Sequence, residues 1–462
     1  MSMRKGMVLL VAALAGSWAF CESAAAQWSE PVPVDEINTQ FDEGKAFLSF
    51  DGLTLYFTRC HTDTYFYRRV HRAMRPVPSG PFTSVEEISA LNYSGGHVGS
   101  PWVSPDNLRM YYYRTEPGNM GLGHHRIKLT ERASVHDPWL AGTNLSELNS
   151  LGPVSTLSLT EDELTIVFTG NFQIPGGLGD FDLWIATRPS RVDPFGSIRN
   201  LAELNSTAAD DSPCLSADGL ELYFHSTRNG SHQFFRATRD SVDASFSSPE
   251  HFAIFDEPGA SLIWPSLSGD GRAFYFSKSV DGEPYDIWVS YVVPQEVAVD
   301  IKPGSCPNPL KLKSKGVLPV AILGTEDFDV NTIDIASVRL EGVAPIRSGL
   351  EDVATPAADG NECECSEEGP DGYTDLTLKF KRQDVVEQLA IVAGELVHRE
   401  EMVLTLTGTL CDGTEIEGTD CVVIVGKVPE EIAAKRSDLN KDGMVDLRDF
   451  AMLSRSWLEL GL

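Results

Sequence analysis

The chain has 462 residues, of which 23% are charged, and a formal net charge of −30 at pH 7. A chain of this length is too long for one hydrophobic core, so two or three domains are expected. The excess of acidic residues excludes nucleic acid as a partner, because a phosphate backbone requires a basic face. After residue 26, no apolar run is long enough to span a bilayer.

The first 26 residues have the pattern of a secretory signal peptide. Arg4 and Lys5 precede a mostly apolar stretch over residues 7–20, and residues 24–26 are three alanines that offer a cleavage site. The mature protein is therefore expected to be secreted or periplasmic.

A short motif recurs five times in the following 250 or so residues, at steps of about 55 residues, a period typical of β-propellers. Each copy has a small residue, a turn with an acidic residue such as Asp218, and a strand rich in aromatic or β-branched residues. The aspartates are interpreted as turn formers. The copies begin at Ser49, Ser104, Thr160, Ser216 and Ser268.

A second element recurs between the copies and starts with an aromatic residue. It is found at residues 82–92, 139–149, 195–205 and 246–255, and residues 28–35 have the same pattern. We interpret it as an outer strand, with the N-terminal strand completing the last blade and closing the ring. The sequence thus predicts an all-β unit, a five-bladed propeller over residues 27–294; a sixth blade would have to lie within residues 115–129.

The segment from Ser212 to Phe224 resembles the WD-like repeats of TolB-type propellers, which are periplasmic proteins. The resemblance covers most of residues 27–294 and implies the propeller fold. It leaves function open, because propellers of this type serve as protein-binding platforms, as peptidase accessory domains and as sugar-active enzymes.

Two kinds of side chain are candidates for a ligand site at the propeller channel. Adjacent acids precede innermost strands at residues 42–43, 210–211 and 256–257, where paired carboxylates would serve glycoside hydrolysis. Tryptophans flanked by prolines could stack on a sugar. No residue is assigned as catalytic, and the candidate ligand-binding residues are Trp102, Trp264, Asp210 and Asp211.

Residues 295–427 lack the repeat and are predicted to form an antiparallel β-sandwich with one short helix within residues 383–393. The segment from Asp300 to Asn308 resembles an accessory module of secreted bacterial proteins, which implies no activity. Five of the seven cysteines after residue 26 lie beyond residue 300, and structural disulfides are expected there. Cys411 and Cys421 bracket a hairpin and are the predicted pair; the connectivity of the other three is left open.

The clearest chemical signal is a twelve-residue loop at 438–449, within the tail at residues 428–462. Oxygen-bearing residues stand at positions 1, 3, 5, 9 and 12, and Gly443 stands at position 6, where an EF-hand loop turns sharply. The predicted Ca²⁺ ligands are Asp438, Asn440, Asp442, Met444 through its carbonyl, Asp446 and Asp449.

With residues 450–458, this loop resembles a single type I dockerin repeat. Dockerins carry two such repeats, whereas this chain has one; a helix within residues 429–437 would instead make a lone EF-hand that pairs by dimerising. The resemblance implies a short α-helical tail and a cohesin-like or other extracellular protein partner.

Together these features predict a secreted binding or scaffold protein with a calcium-stabilised docking tail. The alternative is a polysaccharide-active enzyme, a glycoside hydrolase or lyase, with catalytic carboxylates at the channel. Two carboxylates facing the channel would favour the enzyme. Aromatic and hydroxyl side chains there would favour binding of a ligand such as a carbohydrate.

Overall fold

A computed structural model describes residues 28–60, 68–92, 96–115, 124–356, 363, 368–392 and 396–428. The predicted signal peptide and the predicted calcium loop lie outside these residues. The chain divides into two compact units, Trp28–Val292 and the part from Val293 onward. Among the described residues, no helix has the length and apolar character needed to cross a membrane.

The first unit consists of short strands rich in aromatic and β-branched residues, which favour extended backbone. Apart from one-turn helices, such as α1 (Ser146–Asn149), its described residues are strands and loops. The strands are β1 (Val32–Pro33), β2 (Glu43–Leu48), β3 (Thr54–Cys60), β4 (Arg68–Met74), β5 (Ser84–Glu87), β6 (Val98–Val103), β7 (Arg109–Thr115), β8 (His125–Glu131), β9 (Thr143–Asn144), β10 (Val154–Leu159), β11 (Thr165–Asn171), β12 (Phe181–Thr187), β13 (Gly196–Asn200), β14 (Asp210–Leu215), β15 (Glu221–Ser226), β16 (Gln233–Thr238), β17 (Glu250–His251), β18 (Ala260–Leu267), β19 (Ala273–Val280) and β20 (Asp286–Tyr291).

Within the described residues these strands form five four-stranded antiparallel sheets, which begin at β2, β6, β10, β14 and β18. The last sheet is completed by β1, whose Val32 lies opposite Val289 of β20. The first strands of successive sheets contact one another in a closed cycle, in which β18 contacts β2. The unit is therefore a β-propeller, and the N-terminal strand closes its ring as the sequence predicted.

The repeated motif forms the turn between the first and second strand of each sheet. In the first sheet the Ser49 hydroxyl donates to Asp51 at 2.6 Å, and Asp51 accepts the backbone N–H of Leu53 at 3.0 Å. The same hydroxyl-to-aspartate bond of 2.6 Å recurs in the other four sheets. The prediction that these aspartates form turns is confirmed.

The Leu-Asn ending of the second recurring element is also structural. The Asn205 side chain accepts the backbone N–H of Leu183 at 2.8 Å and donates to its carbonyl at 3.0 Å. These two bonds replace a strand pairing at the end of the sheet. The same clamp joins Asn38 to Ile287, Asn92 to Val70 and Asn149 to Ile127.

The second unit contains two sheets that share one hydrophobic core. One has the order β21-β29-β28-β25, with β23 also on β29; the other has the order β22-β24-β27-β26. The predicted helix is present as α2, and Val386 on it is buried in the same core. The elements are β21 (Gln295–Glu296), β22 (Val299–Ile301), β23 (Pro309–Lys311), β24 (Val317–Ile322), β25 (Ile333–Leu340), β26 (Arg347–Glu351), β27 (Asp375–Lys381), α2 (Arg382–Val392), β28 (Glu401–Leu410) and β29 (Glu415–Val425).

The predicted disulfide between Cys411 and Cys421 is wrong. Cys421 is bonded to Cys363, with 4.9 Å between the Cα atoms, and Cys411 is a free, exposed cysteine. Cys411 lies at the hairpin turn, whereas Cys421 lies six residues along β29 from Glu415, about 20 Å at 3.3 Å per residue. A disulfide requires Cα atoms within about 7 Å.

Asp300 in the second unit is a buried carboxylate close to two others. Its Oδ2 has no hydrogen-bond partner among the described residues, whereas Asp420 accepts the backbone N–H of Ile301 at 2.6 Å. Burial, together with the negative charges of Asp420 and Asp375, raises the pKa of Asp300 to about 7. The folded state therefore holds a proton on Asp300 between about pH 4 and 7 that the unfolded chain releases.

We expect Asp300→Asn to stabilise the second unit above pH 7. Because the pKa of Asp300 is raised in the folded state, its contribution to stability is fully present below the pKa of the unfolded chain. This contribution is lost as the pH rises through 7. The variant should gain roughly 2–4 kcal/mol over the native chain at pH 8 and little at pH 4.5. Calorimetric unfolding at both pH values tests this, with Asp327→Asn at an exposed site as control. An equal effect of Asp300→Asn at both values would contradict it.

Candidate functional site in the propeller channel

Each first strand of the propeller contains a β-bulge at the same place, as between Gly44 and Phe47 in β2. All five sheets share this bulge, but the side chain of the bulged residue differs from sheet to sheet. In four sheets the residue there has a left-handed backbone, with φ of 53–57°. The bulge residues are Lys45, Ser100, Thr156, Ser212 and Trp264.

The second strands contribute a polar residue at a matching position, directly after two apolar or aromatic residues. The strand register places Thr58 opposite Gly44, and His225 opposite Asp211. All five side chains are buried. They are Thr58, Tyr113, Thr169, His225 and Ser277.

A cavity lies where the five first strands meet, and each of them lines it. Its volume is about 50 Å³. A water molecule needs roughly 10–15 Å³ measured in this way, so the cavity holds a few waters or a small ion. It is far smaller than the roughly 300–1,000 Å³ of pockets for drug-sized ligands.

Two cations lie together on one side of the channel. The Lys45 Nζ lies 4.8 Å from the ring centre of Trp264 and 5.5 Å from that of Tyr113. The guanidinium of Arg68, on β4, lies 4.7 Å from the Trp264 ring, and its pKa is raised by interaction with Tyr113 and Cys60 against the effect of burial. Burial lowers the pKa of Lys45 to about 7; the charge of Asp211 opposes this shift and the charge of Arg68 adds to it.

Gly44 makes this arrangement possible. A Cβ atom at Gly44 would stand 2.2 Å from the Trp264 ring and 2.5 Å from the Ser277 hydroxyl. Such contacts are far inside van der Waals distance, so any side chain at residue 44 would displace the ring that lies against both cations.

Four histidines lie in two pairs, near enough to Lys45, Arg68 or Asp211 for these charges to act on their pKa values. The rings of His97 and His125 lie 6.2 Å apart, and those of His225 and His232 lie 5.2 Å apart. Burial lowers the pKa of all four, to about 4 for His97, about 3 for His125 and about 4 for His225. They are therefore neutral at pH 7 and can each donate one N–H.

Asp211 is the carboxylate on the channel that interacts with these groups. It accepts the Thr156 hydroxyl at 2.7 Å and the backbone N–H of Ser212 at 2.6 Å. Burial raises its pKa, but interactions with His225 and Lys45 and hydrogen bonds from two threonines outweigh this and lower the pKa to about 2. Asp211 is thus a fixed negative charge and not a proton donor at neutral pH.

Asp210, the predicted partner of Asp211, has a structural role. Asp210 is fully buried, accepts the Ser206 N–H and hydroxyl at 2.6 and 2.8 Å, and pairs with Arg228 at 2.5 Å. Glu43 occupies the same repeat position and is held in the same way by Thr39 and Arg59. Two sheets therefore use a buried carboxylate here to tie down the preceding loop.

The remaining candidate acids are also occupied by neighbours. Asp42 accepts the backbone N–H of Tyr285 at 2.9 Å. Asp256 accepts from Gln233 at 2.8 Å and lies 2.9 Å from His251. Glu257 pairs with Lys278.

Of the four predicted ligand residues, Trp264 and Trp102 line the cavity, and Asp211 interacts with Lys45 and His225 beside it. Trp102 lines the cavity but is 3% exposed, and it packs against Phe47 at 5.7 Å and Tyr111 at 5.8 Å. Its ring is therefore part of the core between sheets.

Several buried polar atoms of the channel have no hydrogen-bond partner within the described part of the chain. Buried polar groups normally pair with protein or ordered solvent, so an unpaired cluster indicates a site that takes a polar occupant. The atoms are Thr58 Oγ1, Ser212 Oγ, Ser277 Oγ, His97 Nδ1, His125 Nε2, His225 Nδ1 and His232 Nδ1.

The described residues contain no group of three or more His, Cys, Asp or Glu side chains arranged to hold a metal. The predicted calcium ligands at 438–449 are not among the described residues.

Sequence reasoning missed Lys45, Arg68 and the histidine pairs. The signal that could have found Lys45 is its repeat position, four residues before the turn serine, where two other repeats have serine. The polar residue after two aromatics, as in His225, was a second signal.

No protein-family model matches this sequence, and no curated protein matches it. Solved structures similar to part of the chain include TolB from Acinetobacter baumannii, which is 13% identical, with a TM-score of 0.33 over 60% of this chain and 61% of that one. An alpha-L-arabinofuranosidase from Podospora anserina in complex with cellotriose is 12% identical, with a TM-score of 0.37 over 58% of this chain and 96% of that one. An alpha-L-arabinofuranosidase from Lactobacillus brevis is 13% identical, with a TM-score of 0.38 over 56% and 94%. Similarity this low does not indicate what the present chain binds or cleaves.

Proposed function

We propose that this chain is an exported binding protein built from a five-bladed propeller, a β-sandwich spacer and a calcium-stabilised docking tail. The propeller is the ligand-binding or protein-binding platform. The main support for this proposal is that, among the described residues, no carboxylate near the channel is available as a proton donor. Asp211 faces the channel with a pKa of about 2, and Asp210 and Glu43 are held by structural partners.

Glycoside hydrolysis requires two carboxyl groups at the scissile bond, one of them a proton donor with a raised pKa. Burial does raise the pKa of Glu43, but both its oxygens accept hydrogen bonds from Thr39 or Arg59. The hydroxyl and imidazole groups around the channel instead suit recognition of a polar ligand. A glycan-cleaving enzyme remains the alternative that the experiment must address.

The test is a screen of the mature full chain on a polysaccharide panel with CaCl₂, scoring retention and released products in the same wells. We expect no product from any glycan, whether or not the protein is retained. Products that disappear in the Asp211→Asn variant would overturn the proposal and assign catalysis to the channel.

The docking tail is proposed to bind one Ca²⁺ through the loop at 438–449, with a cohesin-like or other extracellular protein as its partner. Replacing Asp438 and Asp442 together by alanine removes two of six ligands and should abolish calcium binding. Calcium titration by calorimetry tests this, with Lys441→Ala as control because position 4 supplies no ligand. An unchanged titration in the double variant would remove the site.

We also propose that the protein is secreted or periplasmic. The predicted signal peptide directs export, and the bond between Cys363 and Cys421 fits an oxidising compartment.

A further inference from the structure

Lys45 and Arg68 are two neighbouring cations in the propeller. Both lie within 5 Å of the Trp264 ring centre, and both also neighbour Tyr113. With these shared neighbours, the two cations are close enough that the charge of Arg68 lowers the pKa of Lys45.

Neither cation forms an ion pair within the described part of the chain. Asp211 acts on Lys45 through its charge without forming a salt bridge, and its Oδ1 accepts from both the Thr156 hydroxyl and the Ser212 N–H. Buried charges are normally paired, because removing them from water without a counter-charge is costly. Two adjacent cations in a chain with a net charge of −30 therefore require an explanation.

Unpaired donors are present next to these cations. The position of a Cβ on Gly99 would be 3.0 Å from Thr58 Oγ1 and 3.1 Å from the Tyr113 hydroxyl, so these two hydroxyls lie close together. Ser277 Oγ stands next to Gly44 and the Trp264 ring. Thr58 and Ser277 lack hydrogen-bond partners among the described residues. Water could satisfy the hydroxyls, but it could not neutralise the cations.

We propose that the propeller channel binds a small tetrahedral oxyanion, such as sulfate or phosphate, between Lys45 and Arg68, with the neighbouring hydroxyls as hydrogen-bond donors. This rests on the proposed function of the propeller as a binding unit. Charge-assisted bonds from Lys and Arg to oxyanions are among the strongest polar contacts in proteins. Lys45 and Trp264 also line the channel cavity of about 50 Å³, so the proposed site adjoins this cavity.

The test is calorimetric titration of the full chain with sodium sulfate at pH 7 and constant ionic strength. The variant is Lys45→Ser, because Ser100 and Ser212 have the same left-handed backbone at the equivalent position and show that the fold accepts serine there. The control is Lys278→Ser, since Lys278 also lies over a tryptophan, 4.3 Å from Trp288, but pairs with Glu257. We expect one sulfate bound, a Kd at least tenfold weaker in Lys45→Ser and a Kd within twofold of native in Lys278→Ser.

Affinity should also depend on pH. The groups facing Lys45 are Arg68, Tyr113, His125, Asp211 and His225, and the pKa values of the histidines and Asp211 lie at or below about 4. Lys45, with a pKa of about 7, therefore governs titration between pH 6.5 and 8.5. Sulfate binding should weaken by about tenfold over this range in the native chain and stay constant in Lys45→Ser.

A parallel titration with methyl sulfate distinguishes a free anion from an ester carried by a larger molecule. Binding of sulfate alone identifies the free anion, and binding of methyl sulfate as well identifies an ester. Failure of both, or equal Kd values in native and Lys45→Ser protein, would overturn the proposal. If Lys45→Ser does not fold, the proposal is tested by the pH dependence of sulfate binding in the native chain and by sulfate titration of Arg68→Gln. Released sugars in the glycan screen would overturn the binding function alone, so the two failures are distinguishable.

Discussion

Replacing Glu163 by glutamine is expected to destabilise the propeller unit by about 3–5 kcal/mol, which corresponds to a fall in Tm of roughly 6–20 °C. Glu163 is fully buried and accepts hydrogen bonds from Arg109 at 2.7 Å and from the Tyr111 hydroxyl at 3.0 Å. Arg188 and Arg191 lie 3.8 and 3.6 Å from its oxygens. Removing this buried negative charge leaves three guanidinium groups around a neutral amide, with Asp106, 2.7 Å from Arg109, as the remaining carboxylate of the network.

A second variant, Glu163→Gly, is also expected to destabilise the propeller unit, although glycine relieves the backbone strain at this position. Glu163 has φ of 63°, at a turn position where other sheets have glycine, as at Gly219. Relief of this conformation by Glu163→Gly would return about 1–2 kcal/mol, less than the loss of the buried ion pairs. Calorimetry of the full chain measures both variants, with exposed Glu161→Gln as control. A Tm within 2 °C of native for Glu163→Gln would contradict the buried network.

Asp210→Asn is expected to cost about 3 kcal/mol in the same unit, because a buried ion pair and two hydrogen bonds lose their acceptor charge. Arg228 would keep its bonds to the Leu204 carbonyl and the Ser226 hydroxyl but would lose its carboxylate. The loop that Ser206 anchors should loosen as a result. This prediction separates a structural role for Asp210 from the catalytic one that adjacent acids suggested.

The measurement is again calorimetric unfolding, and the matched control is Asp240→Asn, an exposed acid just after β16 that should change stability by less than about 0.5 kcal/mol. A fully stable Asp210→Asn protein would show that the Ser206–Asp210–Arg228 contacts do not hold the loop, and would return Asp210 to the list of functional acids.

The sheets and turns of the propeller could be predicted from the sequence because they depend on local patterns. The Ser49-to-Asp51 bond spans two residues, and the strand that follows alternates in a fixed register. Even ring closure by β1 could be inferred, since residues 28–35 resemble the outer strands of the other repeats.

The channel could be predicted only in part, because its residues come from strands far apart in the sequence. Lys45, Arg68 and Trp264 meet because β18 contacts β2 across the closed ring. No local pattern predicts which side chains stand at the bulge of each sheet. Trp264 was identified from its flanking proline, whereas Lys45 was overlooked because a lone lysine is normally exposed.

The disulfide prediction failed for a physical reason that spacing cannot reveal. Two cysteines that bracket a hairpin meet only if they are opposite each other in the strand register. In β29 Cys421 lies opposite Val403, far from the turn that contains Cys411.

Crystallography with selenate would show directly whether the propeller channel binds a ligand through its cationic and hydroxyl groups. Selenate is a tetrahedral oxyanion whose selenium gives an anomalous signal. We expect an anomalous peak in the channel, with oxygens about 3 Å from Lys45 Nζ and the Arg68 guanidinium. A channel without such a peak at saturating selenate, with Lys45 and Arg68 paired to a protein carboxylate, would contradict it.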